Sequence, residues 1–149
     1  MTILVVEIPG EPQGKDRPRK GKGGHFYTPD ATRAYEKRVR SLAWEAMHRA
    51  KLARLRGAVG LELVARFPLP ATENAVWTDL VARLSGEHYT GTPDGDNVLK
   101  AVKDALNREV YEDDRQVSDE RIRRRYVLEG EEPGVEVRAW SLTREWEAS

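Results

Sequence analysis

Apolar residues recur along the chain at two periods, and each period marks an element. Residues 2–8 (TILVVEI) are apolar and β-branched and stop at Pro9-Gly10, which predicts a first strand. Residues 9–27 are rich in Gly, Pro and cations and read as a loop. From Asp30 to about Arg56 the period changes. Tyr35, Val39, Leu42, Ala43, Ala46, Met47 and Ala50 return every three or four residues, as on one helix face, and Gly57 marks the stop. Val59, Leu61, Leu63, Ala65 and Phe67 then alternate with mostly polar residues, a half-buried strand closed by Pro68 and Pro70. The stretch 71–91 is ambiguous: Ala75 to Leu84 fits a short helix or a mobile loop. Thr92-Pro93-Asp94 opens a second helix, with Asp94 as its N-cap. Val98, Leu99, Val102, Ala105 and Leu106 form its buried stripe, while Asp96, Lys100, Lys103 and Asn107 fall on another face. Arg121–Leu128 and Val135–Leu142 read as two further strands. The order β-α-β-α-β-β predicts an α/β (α+β) two-layer sandwich, with two main helices on one face of a mixed sheet of about four strands.

Composition narrows the class. The length of 149 residues fits one domain spanning 1–149, and 39% hydrophobic residues suffice for a single core. No apolar run is long enough to cross a bilayer. The N-terminus lacks a basic leader and turns polar after Ile8, so it reads as a strand and not a signal peptide. Cysteine is absent, which excludes disulfides, thiol catalysis and Cys-based zinc sites and agrees with a cytoplasmic location.

Charge adds a pattern that the totals hide. Lys plus Arg and Asp plus Glu are 25 each, a balance that argues mildly against nucleic-acid binding. The distribution is segregated, however. Between Gln13 and Gly24 stand Lys15, Arg17, Arg19, Lys20 and Lys22 against one acid, Asp16. Arg121, Arg123, Arg124 and Arg125 form a second cluster. Between Asp94 and Glu120 the acids number nine and the bases four. An acidic site beside a phosphate-binding surface would have this layout.

The stretch TPDGDNVLKAVKDALN, followed by VYEDDRQV, carries the candidate chemistry. Asp94 and Asp96 sit where a loop enters a helix, and Lys100 lies one turn after Asp96. Clustered carboxylates repel unless a cation neutralises them, and a hard divalent ion with oxygen ligands does so well. Such an ion beside a phosphodiester can activate water and stabilise the leaving oxygen, and a nearby lysine can steady developing charge. A helix of a dozen residues spans about 18 Å, so Asp114 meets Asp94 only if the chain folds back or a second subunit supplies it. Taken alone, Asp-Gly-Asp-Asn is also ordinary capping chemistry, and Glu112-Asp113-Asp114 is also a solvated acidic turn. An EF-hand is excluded, because Val98 and Leu99 would stand where an oxygen ligand and a glycine are required. His25, His48 and His88 have no ligand spacing.

Asp94-x-Asp96-Asn97-x-x-Lys100-Ala101, Asp104-Ala105-Leu106-Asn107 and Val110-Tyr111-x-Asp113-Asp114-x-Gln116-Val117 together resemble the core signature of RusA-type Holliday-junction resolvases. Ile8-Pro9-Gly10, Arg17-Pro18-Arg19, Tyr27-Thr28-Pro29 and His88 are similar to that family as well, so nearly the whole chain is covered apart from 71–87. The resemblance implies a small homodimeric, phage-like endonuclease that cuts four-way DNA junctions in recombination and repair. Its cofactor would be Mg2+, with Mn2+ as a substitute. Asp94, Asp96 and Asp114 would be the metal-binding acids and Lys100 the catalytic lysine, with Asp113 a fourth acid or supporting neighbour. Lys15, Arg17 and Arg19 are expected to contact DNA. So is Lys103, near where some members carry an exposed aromatic residue. Two other readings compete: a non-catalytic structure-selective DNA-binding module, and a divalent-metal-binding protein without a nucleic-acid partner. The presence of all three aspartates with Lys100 argues against the first, and the basic clusters argue against the second.

Overall fold

The computed structural model describes residues 1–15, 19–27, 29–71 and 75–143. Strand β1 (Ile3–Pro9) alternates outward with inward residues and buries Leu4, Val6 and Ile8. Helix α1 (Asp30–Arg49) buries Tyr35, Val39, Ala43 and Met47, the stripe that its 3.6-residue period dictates. Strand β4 (Val59–Phe67) turns Val59, Leu61, Leu63, Ala65 and Phe67 fully inward. Between β1 and α1, the segment read as a loop holds a small hairpin of β2 (Arg19–Lys20) and β3 (Phe26–Tyr27) around a 3-10 turn at Lys22–Gly24. Within the ambiguous stretch, Ala75–Ala82 form the short helix α2. Helix α3 (Gly95–Leu106) follows, then a 3-10 turn (Asp114–Gln116), β5 (Val117–Tyr126) and β6 (Gly134–Ser141).

The main sheet has the order β1-β6-β4-β5. β6 lies antiparallel between β1 and β4, and β5 runs parallel to β4, so the sheet is mixed. The inward residues of β1, β4 and β6 pack with those of α1 and α3 into one core. This is the predicted two-layer α+β architecture. No helix among the described residues is long and apolar enough to cross a membrane.

Two boundaries differ from the periodic reading. Helix α1 ends at Arg49 and not near Arg56. Ala50 N donates to Ala46 O, Leu52 N reaches back to Met47 O, and Lys51 takes φ 52, a left-handed conformation that turns the chain out of the helix. The turn delivers Leu55 to the core, where its N–H donates to Val110 O at 2.7 Å. Leu52 and Leu55 keep the apolar count of a helix while serving a loop. Strand β5 starts at Val117, four residues before the run of arginines, because Val59 of β4 pairs with Val117.

Candidate active site

Helix α3 carries the first acids. Asp94 adopts extended geometry as the N-cap, and its Oδ1 accepts from Asn97 N at 2.8 Å. The turn before it, which contains a cis Thr92–Pro93 bond, is braced from the sheet. Arg124 donates to Gly91 O at 2.7 Å and Pro93 O at 3.2 Å, and Tyr89 OH donates to Thr92 O at 2.7 Å. Tyr89 itself stacks on Phe67 with ring centroids 3.7 Å apart, and the Arg124 guanidinium lies 5.7 Å from the Tyr89 ring centre. A rigid support therefore presents Asp94 and Asp96 to solvent. Lys100 follows one turn after Asp96, also exposed. Neither Asp96 nor Lys100 has a polar partner among the described residues.

Asp114 lies near the other end of α3. Tyr111, fully buried, donates to Lys103 O at 2.7 Å and pins the returning chain to the helix. Asp113 caps the 3-10 turn, accepting from Arg115 N at 2.9 Å, while the Gln116 side chain accepts from the N–H groups of Glu112 and Asp113. That backbone bond from Arg115 holds the Asp113 carboxyl below its ordinary range. The Asp114 carboxyl is pushed up, first by desolvation and then by its hydrogen bond and charge interaction with Asp104. The same burial, with Asp114 next in effect, drives the Tyr111 hydroxyl far above its usual value. Asp104 in turn meets the Lys15 ammonium, which also lies 3.2 Å from Glu36. Burial works against the charge on Lys15, but these two carboxylates outweigh it and its pKa rises.

The sequence-derived residues thus fall into two sets. Asp94 and Asp96 stand at the start of α3, and Asp114 joins Asp104 about 15 Å further along the axis, at 1.5 Å per residue. Lys100 stands between them. Among the described residues no three acids or histidines are gathered closely enough to form a ready-made metal chelate. Asp104 has no role in the sequence reading, although its place one turn after Lys100 in the Asp-Ala-Leu-Asn stretch is a signal for it.

The cations fare differently from one another. Lys15 is held by Asp104 and Glu36, and Lys103 bonds Glu120 at 2.8 Å. Arg17 and the side chain of Arg19 lie outside the described residues. In the arginine run, Arg121 pairs with Asp119, Arg125 with Glu131, and Arg124 braces the Thr92–Pro93 turn. Only Arg123 of the four has no partner among the described residues. The Arg125 partner holds Glu131 down at about 2.

Acids at both ends of a helix with an exposed lysine between them do not by themselves define an activity, and comparison supplies the class. The family described as Endodeoxyribonuclease RusA matches residues 9–139. The chain belongs to the RusA endodeoxyribonuclease family, in accord with the motif in α3 and the turn after it. It is also similar to the uncharacterized protein YqaN of Bacillus subtilis (strain 168), 32% identical over 142 residues that cover 92% of this chain and 95% of that protein.

Proposed function

We propose that the protein is a magnesium-dependent endonuclease that hydrolyses phosphodiester bonds at four-way DNA junctions, acting as a homodimer in recombination and repair. The observation that carries this reading is the exposed Asp94–Asp96–Lys100 stretch of α3 within a chain of the RusA family. The donor set fits a hard divalent ion. Burial raises the Asp114 carboxyl, with the neighbouring Asp104 next in effect, so a cation placed here would relieve both, and Asp94 uses only Oδ1 for its cap. Asp94, Asp96 and Asp114 are the proposed ligands. A single ion held by all three requires the Asp94–Asp96 turn to approach the Asp113–Asp114 turn, within one chain or across the dimer.

When bound, Mg2+ or Mn2+ would supply water activation and charge neutralisation at the scissile phosphate. The protein's own part is positional. Arg124 and Tyr89 fix the turn that aims Asp94 and Asp96. Lys100 offers a point charge to a non-bridging phosphate oxygen, where a planar arginine fork would sit differently. The N–H groups of the first turn of α3 add a favourable field for an anion. Lys15, Arg17, Arg19 and Lys103 are the proposed DNA contacts. For Lys15 and Lys103 this means exchanging Asp104, Glu36 or Glu120 for phosphate.

The test is a labelled four-way junction beside a linear duplex of the same arms, each with Mg2+ and with chelator. Expected is Mg2+-dependent cutting of the junction alone. Asp94→Asn, Asp96→Asn and Asp114→Asn should each lower the single-turnover rate at least about a hundredfold, the loss of roughly 3 kcal/mol of charge stabilisation. A variant that cuts at the wild-type rate removes its residue from the ligand set. Binding without cutting by the parent protein would favour the non-catalytic module.

A further inference from the structure

The β2–β3 hairpin stands apart from the main sheet, as a two-stranded ribbon of its own. Its turn is tight: Gly21 N donates to His25 O at 2.8 Å, and Gly23 and Gly24 take φ of 84 and 82, which glycine adopts without strain. Next to this turn is Phe26, 72% exposed, against 49% for Trp44, the other aromatic side chain among the large exposed hydrophobics. Its register partner across the ribbon is Lys20. Directly opposed residues of an antiparallel pair project to one face, so the ring and the ammonium share a surface. Residues 19–27 contain Arg19, Lys20, Lys22 and His25 and no acid. Neither Lys20 nor Lys22 meets a carboxylate among the described residues.

The chain ahead of the hairpin is fixed beside α3 as far as Lys15, four residues before Arg19. Lys15 N donates to Asn97 O at 3.2 Å, and its ammonium bonds Asp104, the neighbour of Asp114. Gly14 packs so closely that a Cβ there would lie 2.8 Å from Pro93 Cβ and 3.1 Å from Asn97 Cβ. An exposed aromatic ring beside Lys20 and Lys22, which are unpaired among the described residues, a few residues along the chain from the arm that lies on α3, has the chemistry of a nucleic-acid surface: ammonium groups for phosphates and a flat face for a base. Within a continuous duplex every base face is covered by its neighbours. At a branch point, base pairs end and faces come open.

We propose that Phe26 stacks on a base exposed at a DNA branch point, with Lys20 and Lys22 on adjoining phosphates, and that this hairpin sets the preference for branched over linear DNA. The proposal rests on the junction-nuclease reading. The cations serve both forms of DNA, whereas the ring acts only where a base face is free.

The experiment uses the full chain in chelator, so that nothing is cut. Wild type, Phe26→Ala and Phe26→Trp are titrated with a four-way junction carrying 2-aminopurine at the branch, and with a linear duplex of matched sequence. Phe26→Ala should weaken junction binding by about five- to a hundredfold, the span for loss of one stacked base, and leave duplex affinity within about twofold. The 2-aminopurine response seen with wild type should vanish in Phe26→Ala and persist in Phe26→Trp. Because the side chain is exposed, the three proteins should melt together. If wild type prefers the junction and Phe26→Ala keeps both that preference and the fluorescence response, the hairpin proposal is overturned while the junction reading stands. If wild type itself shows neither preference nor response, both fall.

Discussion

Burial and the neighbouring Asp104 both work against the charge of the Asp114 carboxylate at neutral pH. The folded Asp114 pKa lies above its ordinary value of 3.8, so the folded chain binds this proton more tightly than the unfolded chain. Below the unfolded value the group costs nothing. As pH rises past it, stability falls, until Asp114 is ionised in both states. Asp114→Asn removes the charge and keeps a hydrogen-bonding group of the same shape. In metal-free thermal melts the variant should therefore match or exceed wild type at pH 7, and its advantage should disappear near pH 3. A lower melting point at pH 7 would mean that this carboxylate is stabilising and that Asp104 is no burden to it. A bound divalent cation would reverse the balance at the same place.

At the scale of elements, the N-terminal arm matters as much as the helix it crosses. Residues 11–15 run over the start of α3 and leave no space at Gly14, where the atoms that block a side chain are the Cβ atoms of Pro93 and Asn97. Neither can move without its backbone. Gly14→Ala should lower stability in chemical denaturation by about 1–3 kcal/mol, as overpacking does, and loosen the Lys15–Asp104 ion pair. Unchanged stability would show that the arm does not pack there in solution. The sequence reading treats this arm as a basic loop that contacts DNA, because Gly, Pro and Lys in succession carry no periodic signal. Its anchoring depends on α3, some eighty residues later in the chain. The end of α1 was hidden for a related reason. Leu52 and Leu55 continue a helical count, and only the pairing of Leu55 with Val110 shows where that apolar surface is used.

For the molecule as a whole, net charge is zero, and DNA affinity must come from where charges stand and whether they are already paired. The arginine run on β5 is mostly engaged: Asp119 takes Arg121, Glu131 takes Arg125, and backbone carbonyls take Arg124. The arm and hairpin, with five cations between Gln13 and Gly24, are the denser supply. Replacing Arg17 and Arg19 together by Ala should flatten the dependence of junction affinity on salt by about two units of slope, close to one for each phosphate left without its cation. Replacing Arg121 and Arg125 should leave the slope nearly unchanged. Affinities measured across a salt series decide this, and the opposite ranking would move the DNA-facing surface to β5.

By itself the sequence determined the types of the two long helices and the four strands of the main sheet, their layer order and the composition of the motif, but not the β2–β3 hairpin or α2. Those depend on local periodicity and on a few turn residues: alternation in β1 and β4, the three-four spacing of α3, and the Asp94 cap. Tertiary structure alone decided which charges are neighbours. Asp104 and Asp114 are ten residues apart, and they meet because the chain reverses between them. Arg108 takes φ 67 and donates from its N–H to Tyr111 O at 2.7 Å, while the buried Tyr111 ties the return to the helix. Lys15 reaches Asp104 across 89 residues. No spacing rule records such encounters, because a side-chain pair is set by where two backbones pass. That is decided by burial of the apolar residues around them and not by the charged residues themselves.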